Sequence, residues 1–232
     1  MIITSNVDTC RSFISSQLRF NEPAATAEQL VFRAVTISRQ TGCGALAVAE
    51  KLAQYLQEHS KSAAPWTVLD RNLMDIVLEE HNLPAYLARF LPEDRASQIE
   101  DFLSEIFGVH PPSRTIVMQT AETILKLAAV GHVILIGRGS NVVTARLPVV
   151  FHVRLVAPLE GRIEHAHEHY GMTKTEARKF CLTEDLGRAR HLKKHFDADI
   201  NDPLLYHVII NTGLMGFDAA ARLIGDAVLN PK

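Results

Sequence analysis

The chain has 232 residues, 47% of them hydrophobic and 22% charged, with a formal net charge of −2. That length holds one sizeable core, and so balanced a charge exerts no general pull on a nucleic acid polymer or an anionic membrane surface. Three widely spaced cysteines (Cys10, Cys43, Cys181) without a CxxC pair argue against a disulfide framework or a zinc cluster and lead us to expect a reducing cytoplasm.

The first thirty residues stand apart. Val7, Phe13, Ile14 and Leu18 give a rough helical face that Asn21-Glu22-Pro23 breaks, so a helix and linker are expected, packed on the body or on a second subunit as a homodimer. A single body follows over 31–232. VFRAVTIS reads as a short apolar strand, Gly42 and Gly44 turn the chain, and ALAVAEKLAQYLQEH runs as an amphipathic helix. WTVLD, Trp66 to Asp70, reads as a second strand. A helical insert is expected over about 71–130, its last helix running from Arg114 to Val130 and stopping at Gly131. HVILIGRG gives a third strand and Val149 to Ala157 a fourth. Helices over 158–170 and 173–194, a fifth strand from Tyr206 to Thr212 and a helix from Phe217 to Leu229 complete the chain. The strands are nearly continuous apolar runs alternating with helices. That pattern predicts an α/β fold of three layers, a five-stranded parallel sheet flanked by helices. No apolar run reaches the roughly 18 residues that a membrane helix needs, and MIITSNVDTCRSF lacks a basic-then-apolar leader design.

Ligands of such sheets bind at the carboxyl ends of the strands. Polar residues stand there at Ser38-Arg39, Asp70-Arg71, Gly137-Arg138-Gly139 and Asn211-Thr212. In ISRQTGCGALAVAEKLA a strand, a tight glycine turn and a helix follow one another, so backbone N–H groups and the helix dipole can converge on a phosphate over Ser38, Arg39, Gly42, Cys43, Gly44 and Ala45. A plain strand-to-helix turn produces the same pattern. Against GxxxxGK[ST], with Gly44 as the second glycine, Ala45 and Leu46 replace the lysine and the hydroxyl. Cys43 beside a helix N-terminus is placed for a lowered thiol pKa, or fills a small-residue slot. His165 and His169, four apart, have the spacing of a metal pair without a third ligand, and surface histidines fit them as well.

ISRQTGCG with its alanine-rich helix resembles the opening of the cytidylate kinase-like family. LDRNLMDIVLEE, ILIGRGSN, FHVRLVAPLEGRIE, EARKFCLTEDLGRAR and NDPLLYHVIINT follow in that family's order across roughly 32–229. The resemblance implies a P-loop NTPase-like fold related to the nucleoside monophosphate kinases. It also implies ATP-dependent phosphoryl transfer to an acceptor such as CMP or dCMP, with ATP and Mg²⁺. Arg138 then faces the nucleotide cleft, or pairs with a structural carboxylate. Asp185 and Arg188 open a lid over about 185–205 whose arginines close on the phosphates, or simply pair i, i+3 on one helical face. Arg39 stands in for the missing lysine, or forms an ion pair at the base of the turn. Asp70 and Arg71 contact the acceptor, or Asp70 caps a helix. Asn211 and Thr212 lie near the base, or form a turn. A nucleotide-binding module without catalysis and a scaffold that keeps only the fold remain the other two functional readings.

Overall fold

The structure, a computed structural model, describes residues 32–60, 64–70 and 116–231. The expected N-terminal helix, Arg71 and most of the expected helical insert lie outside these residues. The described elements are β1 (Ala34–Arg39), α1 (Ala45–His59), β2 (Thr67–Leu69), α2 (Ile116–Val130), β3 (Val133–Ile136), α3 (Ser140–Val143) and β4 (Val150–Val156). After them come α4 (Leu159–Tyr170), α5 (Lys174–Phe196), a 3₁₀ turn (Pro203–Leu205), β5 (Val208–Asn211), α6 (Thr212–Met215) and α7 (Phe217–Leu229).

All five strands are parallel, in the order β2-β3-β1-β4-β5. The period-2 alternation of each strand sorts its side chains between two cores. Val35 and Ile37 of β1 and Ile134 and Ile136 of β3 pack with Val48, Leu52 and Leu56 of α1 and Ala221 and Ile224 of α7. Ala34, Val133 and Leu135 point the other way, against Ala121, Leu125 and Ala128 of α2. The three layers expected from the sequence follow from this division.

The boundaries differ from expectation at every strand. The first is Ala34–Arg39 rather than 31–38, the third Val133–Ile136 rather than 132–139 and the fourth Val150–Val156 rather than 149–157. The second strand is Thr67–Leu69 rather than Trp66 to Asp70. The fifth is Val208–Asn211 rather than Tyr206 to Thr212. At its start, Asp202 caps a 3₁₀ turn with Pro203 in its first position, which holds the chain out of the sheet until Tyr206. At its end, the Asn211 side chain accepts from the Gly213 amide and starts α6. Helix α5 begins at a capping box in which Thr173 and Glu176 satisfy each other's backbone amides, and it runs unbroken for 23 residues.

The α2-facing side of β1 and β4 carries a polar inlay. The register pairs Thr36 with His152 and Ser38 with Arg154. Thr36 Oγ1 lies 2.8 Å from His152 Nδ1, and the His152 amide donates to His207 Nδ1 at 2.9 Å. Burial, aided by His207, pushes the His152 imidazole down to about 4. The folded chain therefore holds His152 neutral while the unfolded chain protonates it near pH 6.5. Its contribution to stability is complete above that pH and is lost as pH falls toward 4. Urea unfolding at pH 7, 5.5 and 4 should show about 3 kcal/mol of loss from this residue. His152→Leu should flatten that part of the pH profile.

Candidate phosphate-binding cavity

Strand β1 is central, and the chain leaves it toward β2 on one side and leaves β3 toward β4 on the other. The crevice between the carboxyl ends of β1 and β3 is thus the topological switch point of the sheet. A cavity of about 260 Å³ lies there. Ser38 and Arg39 line it from β1, Gly137, Arg138, Gly139 and Asn141 from the end of β3, and Glu184, Gly187, Arg188 and His191 from α5.

The backbone at the end of β3 is unusual. Gly137, Arg138 and Gly139 all have left-handed φ values of 87°, 55° and 71°. Glycine takes such values freely, whereas an arginine gives up roughly 1 kcal/mol to do so. The strain places Arg138 at the cavity wall, where tight local turns often serve a site. A Cβ at Gly137 would also crowd the tip of the Arg39 guanidinium, which reaches across from β1. Phe196 and Leu192 of α5 lie against Gly139, so the same short segment seats the helix that roofs the cavity.

The glycine turn is built differently from an open phosphate cradle. Gly42 has φ +81° and a Cβ there would overlap the carbonyl oxygen of Arg162. Gly44 has φ +76° and a Cβ there would overlap the Phe217 ring. Both glycines therefore let the turn press against α4 and α7. Thr212 Oγ1 donates to the Cys43 carbonyl at 2.9 Å, and Cys43 Sγ donates to the Leu155 carbonyl at 3.7 Å. Burial pushes the Cys43 thiol up to about 11. The expected lowering beside a helix N-terminus is thus reversed, because desolvation outweighs the nearby arginines.

An anion does sit at the turn, and it belongs to the chain. Asp185 Oδ1 accepts from the Thr41 amide at 2.7 Å and from the Thr41 hydroxyl at 2.8 Å. Arg162 Nη1 donates to Asp185 Oδ2 at 2.6 Å and to the Thr41 carbonyl at 3.1 Å. Arg188 Nη1 donates to Asp185 Oδ1 at 3.1 Å and to the Thr41 hydroxyl, and its Nη2 lies 3.5 Å from Glu184.

Of the residues expected at a site, the structure brings Ser38, Arg39, Arg138 and Arg188 to one cavity. Gly42, Cys43, Gly44 and Ala45 are not among its lining residues, and Asp185 lies beside it as the anchor of the turn. Asp70 follows β2 outside the lining, and Asn211 and Thr212 spend their side chains on α6 and the glycine turn. His165 is stacked on His169 and meets Phe217 edge-on, and no metal-holding group of three His, Cys, Asp or Glu occurs among the described residues. The sequence reading missed Asn141, Glu184 and His191 in the lining and Arg154 and Arg162 behind it. Asn141 stands in GRGSN and Arg154 in FHVRLVA, but neither declares itself until the register and α5 are in place.

A model of the cytidylate kinase-like family matches residues 34–214. The chain belongs to the cytidylate kinase-like family. A crystal structure of an uncharacterized protein from Eubacterium ventriosum has the same fold, with a TM-score of 0.64 at 17% identity over 84% of this chain and 97% of that one. No curated protein matches. The family's kinase-like, P-loop-related fold accounts for the sheet order and for the cavity at its switch point. None of the described helices is long and apolar enough to cross a membrane.

The packing at the turn makes a specific prediction for this family member. Gly42→Ala introduces both a strained φ and an overlap with the Arg162 backbone. It should lower the unfolding free energy by about 2–4 kcal/mol in urea titrations. A variant as stable as the wild type would mean that the glycine serves a ligand rather than the packing.

Proposed function

We propose that this cytidylate kinase-like protein binds a nucleotide by its phosphate in the cavity under α5, with a nucleoside monophosphate such as CMP or dCMP as the ligand class. The observation that carries the proposal is the convergence of Arg39, Arg138 and Arg188 on one cavity at the switch point. A guanidinium fork matches the oxygens of a phosphate and keeps its charge at every working pH. A balanced overall charge agrees with capture by such a local cluster rather than by a general field.

ATP and Mg²⁺ are the donor pair that family membership suggests. The glycine turn does not fit a triphosphate with its metal. Ala45 and Leu46 stand where a P-loop lysine and magnesium-binding hydroxyl would be. Arg162 and Phe217 fill the space beside the glycines, and the Thr41 amide already serves Asp185. Binding without turnover is therefore the leading reading. Phosphoryl transfer from ATP is the second, favoured by the three arginines, since that chemistry rests on positioning and positive charge. It requires Asp185 to release Thr41.

A thermal-shift series with CMP, dCMP, UMP, AMP, GTP and ATP, with and without Mg²⁺, separates these readings. CMP or dCMP at a hundred times its dissociation constant should add about 2.7 kcal/mol of stability, while ATP with Mg²⁺ alone adds little. ADP production from ATP and CMP would establish the transfer reading. The absence of a shift with any nucleotide at millimolar concentration would remove both.

A further inference from the structure

On the β1 and β3 side of the cavity the polar side chains are hydrogen-bond donors. Arg39 and Arg138 can only donate. Ser38 Oγ accepts from Arg154 Nη1 at 2.9 Å. Tyr206 Oη donates to the Ile200 carbonyl at 2.8 Å and lies a long 3.4 Å from Ser38 Oγ, which, among the described residues, leaves the Ser38 hydroxyl proton available to the cavity. Arg154 itself is 5% exposed, and its partners are neutral: Ser38, the Asn201 side-chain oxygen at 3.1 Å and the Tyr206 ring. A buried cation among neutral groups favours an anion nearby.

Asn141 completes this wall. It is 4% exposed, lines the cavity, and its Nδ2 has no hydrogen-bond partner among the described residues. The short helix α3 that carries it makes its backbone hydrogen bonds without using this side chain. An amide donor left unmatched in the interior destabilises the folded chain, and a ligand acceptor placed against it restores the loss on binding. On the opposite wall, the carboxylate Glu184 is engaged by Arg188.

We infer that Asn141 is a ligand-binding residue that donates through Nδ2 to a phosphate oxygen, and that the cavity selects a phosphate monoester over the corresponding neutral nucleoside. This rests on the nucleotide-phosphate reading of the same cavity. Donors on the β1 and β3 side match the acceptor-only oxygens of a dianionic phosphate, whereas the hydroxyls of a bare sugar bring donors of their own.

The test is calorimetric titration of the full chain with CMP, cytidine and inorganic phosphate, together with the melting temperature of each protein without ligand. In Asn141→Leu, CMP affinity should fall about ten-fold or more. The ligand-free melting temperature should hold or rise, because the apolar isostere removes the unmatched amide. Cytidine should bind wild type far more weakly than CMP does. Asn141→Asp keeps the shape, sets a negative charge against the phosphate, and should lose CMP binding more completely than the leucine variant. Wild-type CMP affinity in either variant overturns the inference and leaves the reading of the cavity intact. A melting temperature several degrees lower with CMP affinity retained marks Asn141 as a packing residue and also overturns it. Failure of wild type to bind either CMP or millimolar inorganic phosphate removes the inference and the reading together.

Discussion

Asp185 reaches from the middle of α5 to the glycine turn, where Thr41 donates to it through both amide and hydroxyl and where Arg162 and Arg188 close on it from either side. The Arg162 side chain is almost wholly buried, so its charge depends on this carboxylate. The contact fixes three elements at once: the turn after β1, the start of α4 and the helix that roofs the cavity. Leu192 and Phe196 hold the same helix further along against Gly139. α5 is thereby seated at both sides of the cavity, and its Arg188 is turned toward the β1 and β3 strand ends. Any ligand that enters from the α5 side must work against these contacts.

The sheet was legible because it is buried on both faces: AVTISR, VILI and VFHVRLV are continuous apolar runs broken by single polar residues. Those exceptions proved informative. Thr36, Ser38, His152 and Arg154 fall on one face and meet across the β1–β4 register. One end of the inlay is the buried, neutral His152 with the exposed His207 against it, and the other is a buried arginine beside the cavity. Arg39 and Arg138 stand out in the sequence as charged residues where an apolar strand stops, whereas Arg188, inside α5, stands out only through the resemblance to a kinase lid.

The glycine turn shows where sequence reasoning runs out. A positive φ at Gly42 or Gly44 is equally required whether the neighbour is a phosphate or a protein atom, and only the fold reveals Arg162 and Phe217 in those places. The same holds for Cys43, whose depth in the core reverses the expected direction of its pKa. Asn141 gave no signal in one dimension, because an unmatched amide is a property of the surroundings and not of the residue. The fold thus followed from local pattern, while the division of labour between turn and cavity depends on long-range packing.

The protein supplies its own anion to the glycine turn, and in the proposed reading it receives the ligand's phosphate on the other side of Arg188. A crystal structure with CMP bound would show where that phosphate sits. The phosphorus should lie among Arg39, Arg138 and Arg188, with Asp185 still accepting from the Thr41 amide. A phosphate seated on the amides of residues 42–45, with Asp185 displaced, would show instead that the glycine turn is the phosphate site.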